Sequence, residues 1–61
     1  MEKIFQGHIA GYELEVHRHE NGSRFTVRYG QQIKRNLDYK SAAHKLGECI
    51  FHGMQCEGKL D

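Results

Sequence analysis

Residues 12–29, YELEVHRHENGSRFTVRY, decide the fold, because an Asn-Gly pair at 21–22 is flanked by alternating apolar and polar residues. Asn-Gly is the favoured central pair of a two-residue type I′ hairpin turn, in which both residues take positive φ. This turn pairs Leu14 with Tyr29, Val16 with Val27 and Arg18 with Phe25 on one face, and Glu15 with Arg28, His17 with Thr26 and His19 with Arg24 on the other. A one-residue slip would mix the faces, so the pattern predicts a β-hairpin in this register.

Upstream, a second turn at Ala10-Gly11 adds a strand that sets Phe5 beside Val16 and Ile9 beside Tyr12. The strands are expected at about 3–9, 12–19 and 24–30. After a bend at 30–32, residues 33–36 form either a short extra strand or an extended approach to the next element.

The C-terminal third predicts one amphipathic helix over residues 39–54, with Asp38 as its N-cap. Its apolar stripe consists of Tyr39, Ala43, Leu46, Ile50 and Met54. Gly53 is an alternative end, which would leave the rest partly frayed. We therefore predict a single α+β domain over residues 1–61, a three-stranded antiparallel β-meander packed on one C-terminal α-helix (βββα). The expected core is Phe5, Ile9, Leu14, Val16, Phe25, Val27, Tyr29, Leu46 and Ile50.

Length and composition argue against catalysis. A 61-residue chain has little room for both a core and an enzyme cavity of at least ~300 Å³. No apolar run approaches the ~18 residues of a membrane span, and the start lacks a secretory signal. We expect a cytoplasmic, non-enzymatic protein with no membrane association, no small-molecule substrate and no cofactor.

Positive charge is concentrated in the middle third of the chain, where five Lys and Arg residues accompany one acidic residue, Glu20. One helix covers one face of a sheet, so the other face is free to meet a partner. The predicted nucleic-acid contacts are Arg18, Arg24, Thr26, Arg28, Lys34, Arg35, His17 and His19. The alternative is a solvated polar face on which the Glu15–Arg28 pair is purely structural, and a pI of about 7.9 favours it, since nucleic-acid-binding domains commonly exceed pI 9.

The segment 37–46, LDYKSAAHKL, follows the predicted strands directly. Over residues 12–52, this order resembles two families of DNA-binding domain, the arm-binding domains of phage integrases and the plant ethylene-response-factor domains. The resemblance rests on Leu37, Ser41, Ala42 and Ala43. It implies that the exposed sheet lies in the major groove, with contacts from Arg18, Arg24, Thr26 and Arg28. The chain departs from the plant family in having no Trp, and Glu13 and Glu15 would repel phosphate.

The outer face of the helix is a second candidate surface. Phe51 lies beside His44 and close to Gln55, where an aromatic ring can anchor a protein partner or a second copy of the chain. The alternative is a ring that folds back over the edge of a thin core.

Cysteine and histidine spacing gives little support for a metal site or a nucleophile. Cys49 and Cys56 are about 10 Å apart along a helix, beyond disulfide reach, so free thiols are expected. Cys49, His52 and Cys56 lack a fourth ligand from another element, so no metal is expected.

The leading hypothesis is a small regulatory protein, similar to phage or mobile-element accessory proteins, that binds DNA or RNA through its open sheet and basic hairpin. The alternatives are a protein-interaction module or inhibitor that uses the Phe51 surface, and an obligate homodimer.

Overall fold

The computed structural model describes residues 1–59, which form four strands and one helix. The elements are β1 (Glu2–Ile9), β2 (Tyr12–Arg18), β3 (Phe25–Tyr29), β4 (Gln32–Leu37) and α1 (Tyr39–Cys56). The strands form one antiparallel sheet in the order β1-β2-β3-β4, and α1 packs on one side of it, the helix face. The opposite side is the open face. The α+β class and the C-terminal helix are confirmed, and the predicted domain end at residue 61 lies outside the described residues.

The count of three strands is wrong, and of the two alternatives for residues 33–36 the extra strand is the one observed, because residues 32–37 form a fourth strand at the sheet edge. Gly30 has φ 60° and opens a two-residue turn that returns the chain directly, so that Gln32 pairs with Tyr29. A side chain at Gly30 would also meet the Tyr12 ring at 2.8 Å. The missing side chain therefore permits both the turn and the close approach of the ring.

A bulge in β4 interrupts the alternation of its side chains between the two faces of the sheet. The register against β3 shifts between Phe25 and Val27, and Asn36 takes the left-handed conformation, with φ 59°. As a result, Ile33 pairs with Arg28 on the open face, whereas Leu37 pairs with Phe25 on the helix face. Two residues four positions apart thus face opposite sides of the sheet.

The central hairpin has the predicted register but a different turn. Leu14 pairs with Tyr29 and Val16 with Val27, as expected. The closing hydrogen bond runs from His19 N to Arg24 O at 2.9 Å, which leaves a four-residue loop over 20–23. The predicted type I′ turn is wrong, because only Gly22 of the central pair has positive φ. The Asn21 side chain instead accepts a hydrogen bond from Ser23 N at 3.0 Å.

The first hairpin has the two-residue turn that was predicted at Ala10-Gly11, and both residues take positive φ (53° and 81°). Phe5 pairs with Val16, as predicted. The register then shifts between Lys3 and Phe5, which leaves Ile4 as the extra residue of a second bulge.

Helix α1 begins and ends with defined caps. Asp38 is the N-cap, as predicted, and its Oδ1 accepts from Ser41 N at 2.8 Å. The backbone and side-chain hydrogen bonds with Ser41 lower the pKa of the Asp38 carboxyl. The helix does not end at Gly53 but continues to Cys56. There, Lys59 N bonds to Met54 O and Gly58 N to Gln55 O, the two bonds of a Schellman motif.

The end of α1 is attached to the first turn by one long-range hydrogen bond. Glu57 Oε2 accepts from Ala10 N at 2.7 Å, across 47 positions of sequence. The hydrogen bond from Ala10 N lowers the pKa of the Glu57 carboxyl most, and the hydrogen bond from Lys59 lowers it further. The bond stabilises the packing of the helix end against the β1–β2 turn.

The buried core consists of Leu14, Val16, Val27, Ala42 and Cys49, with Phe25, Tyr29, Leu37, Leu46 and Ile50 partly buried around it. Three predicted positions fail here. Phe5, placed in the core, is 42% exposed. On the predicted helix stripe, Tyr39 is 77% exposed and Ala43 is also exposed. The side of α1 against the sheet instead contains the small residues Ala42, Cys49 and Gly53. A Cβ at Gly53 would lie 2.7 Å from Ile9, so the helix packs too close to the sheet for larger side chains there.

Candidate nucleic-acid interface

The centre of the open face is a network around one buried carboxylate. Glu15 is only 9% exposed. Its Oε1 lies 2.9 Å from His17 Nε2, and its Oε2 accepts from Arg28 Nη2 at 2.9 Å. The same Arg28 nitrogen donates to Glu13 at 3.0 Å. The hydrogen bond with His17, then that with Arg28, outweighs the effect of burial and lowers the pKa of Glu15 to about 2. The charge of Arg28 is therefore already balanced within the protein.

Thr26 and His19 are also engaged inside the protein. The Thr26 side chain lies on the open face, yet Thr26 is only 5% exposed. Its hydroxyl lies 2.9 Å from His19 Nε2 and also points to the Met1 sulfur at 3.8 Å. A residue this buried has little surface to offer a partner.

Arg18 lies on the other side of the sheet. It pairs with Phe25, whose ring packs against the core, and its Nη2 donates to Glu2 at 2.6 Å. The structure therefore does not bring the eight predicted contact residues together on one face. His17, His19, Thr26 and Arg28 share the open face, and Arg18 is engaged on the helix face.

The cations without an ionic partner lie elsewhere. Of the nine Lys and Arg residues in the chain, six form no ion pair within residues 1–59: Lys3, which donates to Gln6 Oε1 at 3.1 Å, and Arg24, Lys34, Arg35, Lys40 and Lys45. Lys34 and Arg35 belong to β4, and Lys40 and Lys45 belong to the first two turns of α1. Arg24 immediately precedes β3 and is close enough to the N-cap Asp38 for its charge to help lower the pKa of that carboxyl.

β4 and the first half of α1 enclose a groove of about 470 Å³, named here the basic groove. Its lining residues are Lys34, Leu37, Lys40, Ser41, His44, Lys45 and Glu48. Lys34 belongs to this side because it pairs with Val27, a core residue under the helix. Glu48 is the acidic residue of this lining, and its Oε2 lies 3.5 Å from His44 Nε2. Three ammonium groups around a concave surface favour an anionic ligand.

The groove continues along α1 into an aromatic half of about 600 Å³. The two halves share Lys45 and Glu48, and the aromatic half is lined further by Tyr29, Gln32, Cys49, Phe51, His52 and Gln55. Phe51 is 62% exposed. The His52 ring stands edge-on to Tyr29, with centroids 6.3 Å apart. The three residues predicted for a protein interface thus lie along one groove, with His44 in the basic half and Phe51 and Gln55 in the aromatic half.

The thiols differ in environment and do not form a metal site with His52. Cys49 is buried, Cys56 is exposed, and both are free, as the spacing predicted. Burial raises the pKa of the Cys49 thiol. Cys56 Sγ lies 3.5 Å from His52 Nε2. In the described part of the chain, no three His, Cys, Asp or Glu side chains converge closely enough to hold a metal ion.

Reasoning from sequence missed Lys40 and Lys45. Both flank the apolar stripe of the helix rather than lying in a basic run. The signal that was present is the i, i+4 spacing of Lys40 and His44, which places two basic residues along one flank of a helix, with Lys45 next in sequence. That flank gains significance only once β4 supplies the opposite wall.

No protein-family model, curated protein or solved structure matches the chain. The resemblance to sheet-based DNA-binding domains therefore remains a prediction, and the fourth strand is a further departure from it. Within residues 1–59, no helix combines the length and apolar character needed to cross a membrane.

Proposed function

We propose that the protein is a non-enzymatic regulator that binds nucleic acid through the basic groove rather than through its open sheet face. The observation that carries this proposal is the position of the unpaired cations, which gather on β4 and the start of α1. On the open face, by contrast, the guanidinium of Arg28 is neutralised by two glutamates.

The three lysines of the basic groove define the expected electrostatics. Each phosphate neutralised by Lys or Arg releases counterions, which lowers the slope of log K against log salt by about 0.7 to 0.9. Three contacts predict a slope of about −2.1 to −2.7, so affinity should fall roughly 20- to 40-fold between 50 and 200 mM salt.

Fluorescence anisotropy with a labelled oligonucleotide tests the proposal. The double variant Lys34→Gln with Lys40→Gln should bind more weakly at every sequence and reduce the steepness of the salt slope by about 1.4 to 1.8. The matched control, Lys3→Gln with Arg18→Gln, removes the same charge from outside the groove and should leave both quantities nearly unchanged.

Two results would contradict the proposal. One is the absence of binding to any oligonucleotide at low salt. The other is an equal loss in both double variants, which would mean that net charge rather than the basic groove determines affinity. Circular dichroism of each variant separates lost binding from lost folding.

The exposure of Phe51 supports a second candidate function, a protein contact or self-association through the helix flank. Burial of a mostly exposed aromatic ring by a partner lowers the free energy of the complex. Sedimentation velocity tests self-association directly. A two-fold mass that returns to the monomer mass in Phe51→Asp supports it, and a monomeric wild type at high concentration argues against it.

A further inference from the structure

Resting on the proposed function, we infer that the occupant of the groove is single-stranded nucleic acid, with phosphates in the basic half and at least one base stacked on Phe51. The shape of the surface is the first reason. Proteins that read duplex DNA insert a convex helix or β-ribbon into the major groove, which is about 12 Å wide. Here the lysines line a concavity of about 470 Å³ between β4 and α1 rather than a projecting helix or ribbon.

The second reason is the change in chemistry along the groove. Proteins that bind single strands combine a positively charged groove, which follows the backbone, with aromatic rings that stack on bases. Lys34, Lys40 and Lys45 lie in the basic half. Phe51 and His52 lie in the aromatic half, and Lys45 belongs to both. The groove therefore presents ammonium groups and rings in one continuous path.

The dimensions agree with a short single strand. Lys40 and Phe51 are 11 positions apart on α1, about 16 Å at a rise of 1.5 Å per residue. At the 3.4 Å spacing of one strand in stacked B-DNA that length corresponds to about five nucleotides, and a more extended single strand places fewer nucleotides there. The stacking ring is accessible, since Phe51 is 62% exposed.

Glu48 influences where phosphates lie along the groove. Its carboxylate lies where the two halves meet and repels a phosphate at that point. The same carboxylate accepts hydrogen bonds, and a base edge bearing an amino group can supply one. Phosphates are thus favoured toward Lys34 and Lys40, and bases toward Phe51.

The experiment compares a labelled ten-nucleotide single strand with a hairpin duplex of equal charge, by anisotropy at two salt concentrations. The single strand should bind more tightly. Phe51→Ala should weaken its binding by about 5- to 150-fold, the loss expected for one base stack, without changing the salt slope. Tyr39→Ala is the matched control, because Tyr39 is also a largely exposed ring on the same helix but lines a different cavity. It should bind like the wild type.

The outcomes separate this inference from the proposed function. Equal binding of duplex and single strand, or equal affinities of Phe51→Ala and Tyr39→Ala, overturns the single-strand inference. In that case the loss in Lys34→Gln with Lys40→Gln still supports a nucleic-acid interface at the basic groove. The absence of binding to either oligonucleotide overturns both.

Discussion

Replacing Gly53 by alanine should destabilise the protein, although alanine is the better helix former. A Cβ at this position would lie 2.7 Å from Ile9 Cγ1 and 2.9 Å from both Cγ2 and Cδ1. Carbon atoms in favourable contact are about 3.5 to 4.0 Å apart, so the overlap is roughly 0.6 to 1.3 Å. Overpacking of this kind costs about 1 to 3 kcal/mol, against a gain of about 1 kcal/mol in helix propensity. The net change in the free energy of unfolding is therefore a loss of about 0 to 2 kcal/mol.

Gly47→Ala is the control, because a Cβ at Gly47 meets no atom within 4 Å. This variant should gain about 1 kcal/mol, so the two alanine variants should differ by about 1 to 3 kcal/mol. Urea unfolding followed by circular dichroism measures the difference, and a domain of this size shifts its melting temperature by about 4 to 8 °C per kcal/mol. Ile9→Ala should relieve the clash, giving a coupling energy with Gly53→Ala above about 0.5 kcal/mol. Equal stability of the two single alanine variants would refute the close helix–sheet contact.

Three further predictions concern the sheet and the thiols. The folded state lowers the pKa of Glu15 from 4.5 to about 2, so the stability from its ionisation is complete above pH 4.5 and is lost as pH falls toward 2. Glu15→Gln should therefore lose less stability between pH 6 and pH 3 than the wild type. If the urea unfolding midpoints of the two proteins change with pH in the same way, the hydrogen-bond network around Glu15 is contradicted. Because Asn36 has φ 59°, Asn36→Val should cost about 1 to 2 kcal/mol, whereas Asn36→Gly should not destabilise; equal losses in thermal unfolding would rule out the left-handed bulge. A thiol reagent should modify the exposed Cys56 in the native protein and reach the buried Cys49 only after unfolding; two thiols that react at one rate would be inconsistent with this packing.

The register of the two hairpins was predictable from sequence, because apolar segregation fails under a one-residue slip. Leu14, Val16 and Val27 occupy the predicted face and form the core. The bulges were not predictable in the same way. Counting alternate positions places Ile33 and Leu37 on one face, and only the left-handed Asn36 separates them.

The rotation of α1 was missed for a different reason. The sequence pattern took Tyr39 and Ala43 as part of the inward side, because they continue the three- and four-residue spacing of Leu46, Ile50 and Met54. A helix that packs very close to a sheet turns its small residues inward instead, here Ala42, Cys49 and Gly53.

The candidate site was predictable only in part. The hairpin register predicted the pair between Glu15 and Arg28, which the structure contains. It did not predict that Arg28 also pairs with Glu13, or that Arg18 pairs with Glu2. Lys34 and Lys40 looked unrelated until β4 faced α1 across a groove.

Both irregular pairings lie in the outermost strands, at Ile4 in β1 and near Asn36 in β4. A straight outer strand offers its free amides and carbonyls as a template on which other chains can add, the first step towards aggregation. A bulge disrupts that even spacing and twists the strand. The two irregularities therefore hinder the addition of further strands at both edges of the four-stranded sheet. This reduces edge-to-edge aggregation of the protein at high concentration.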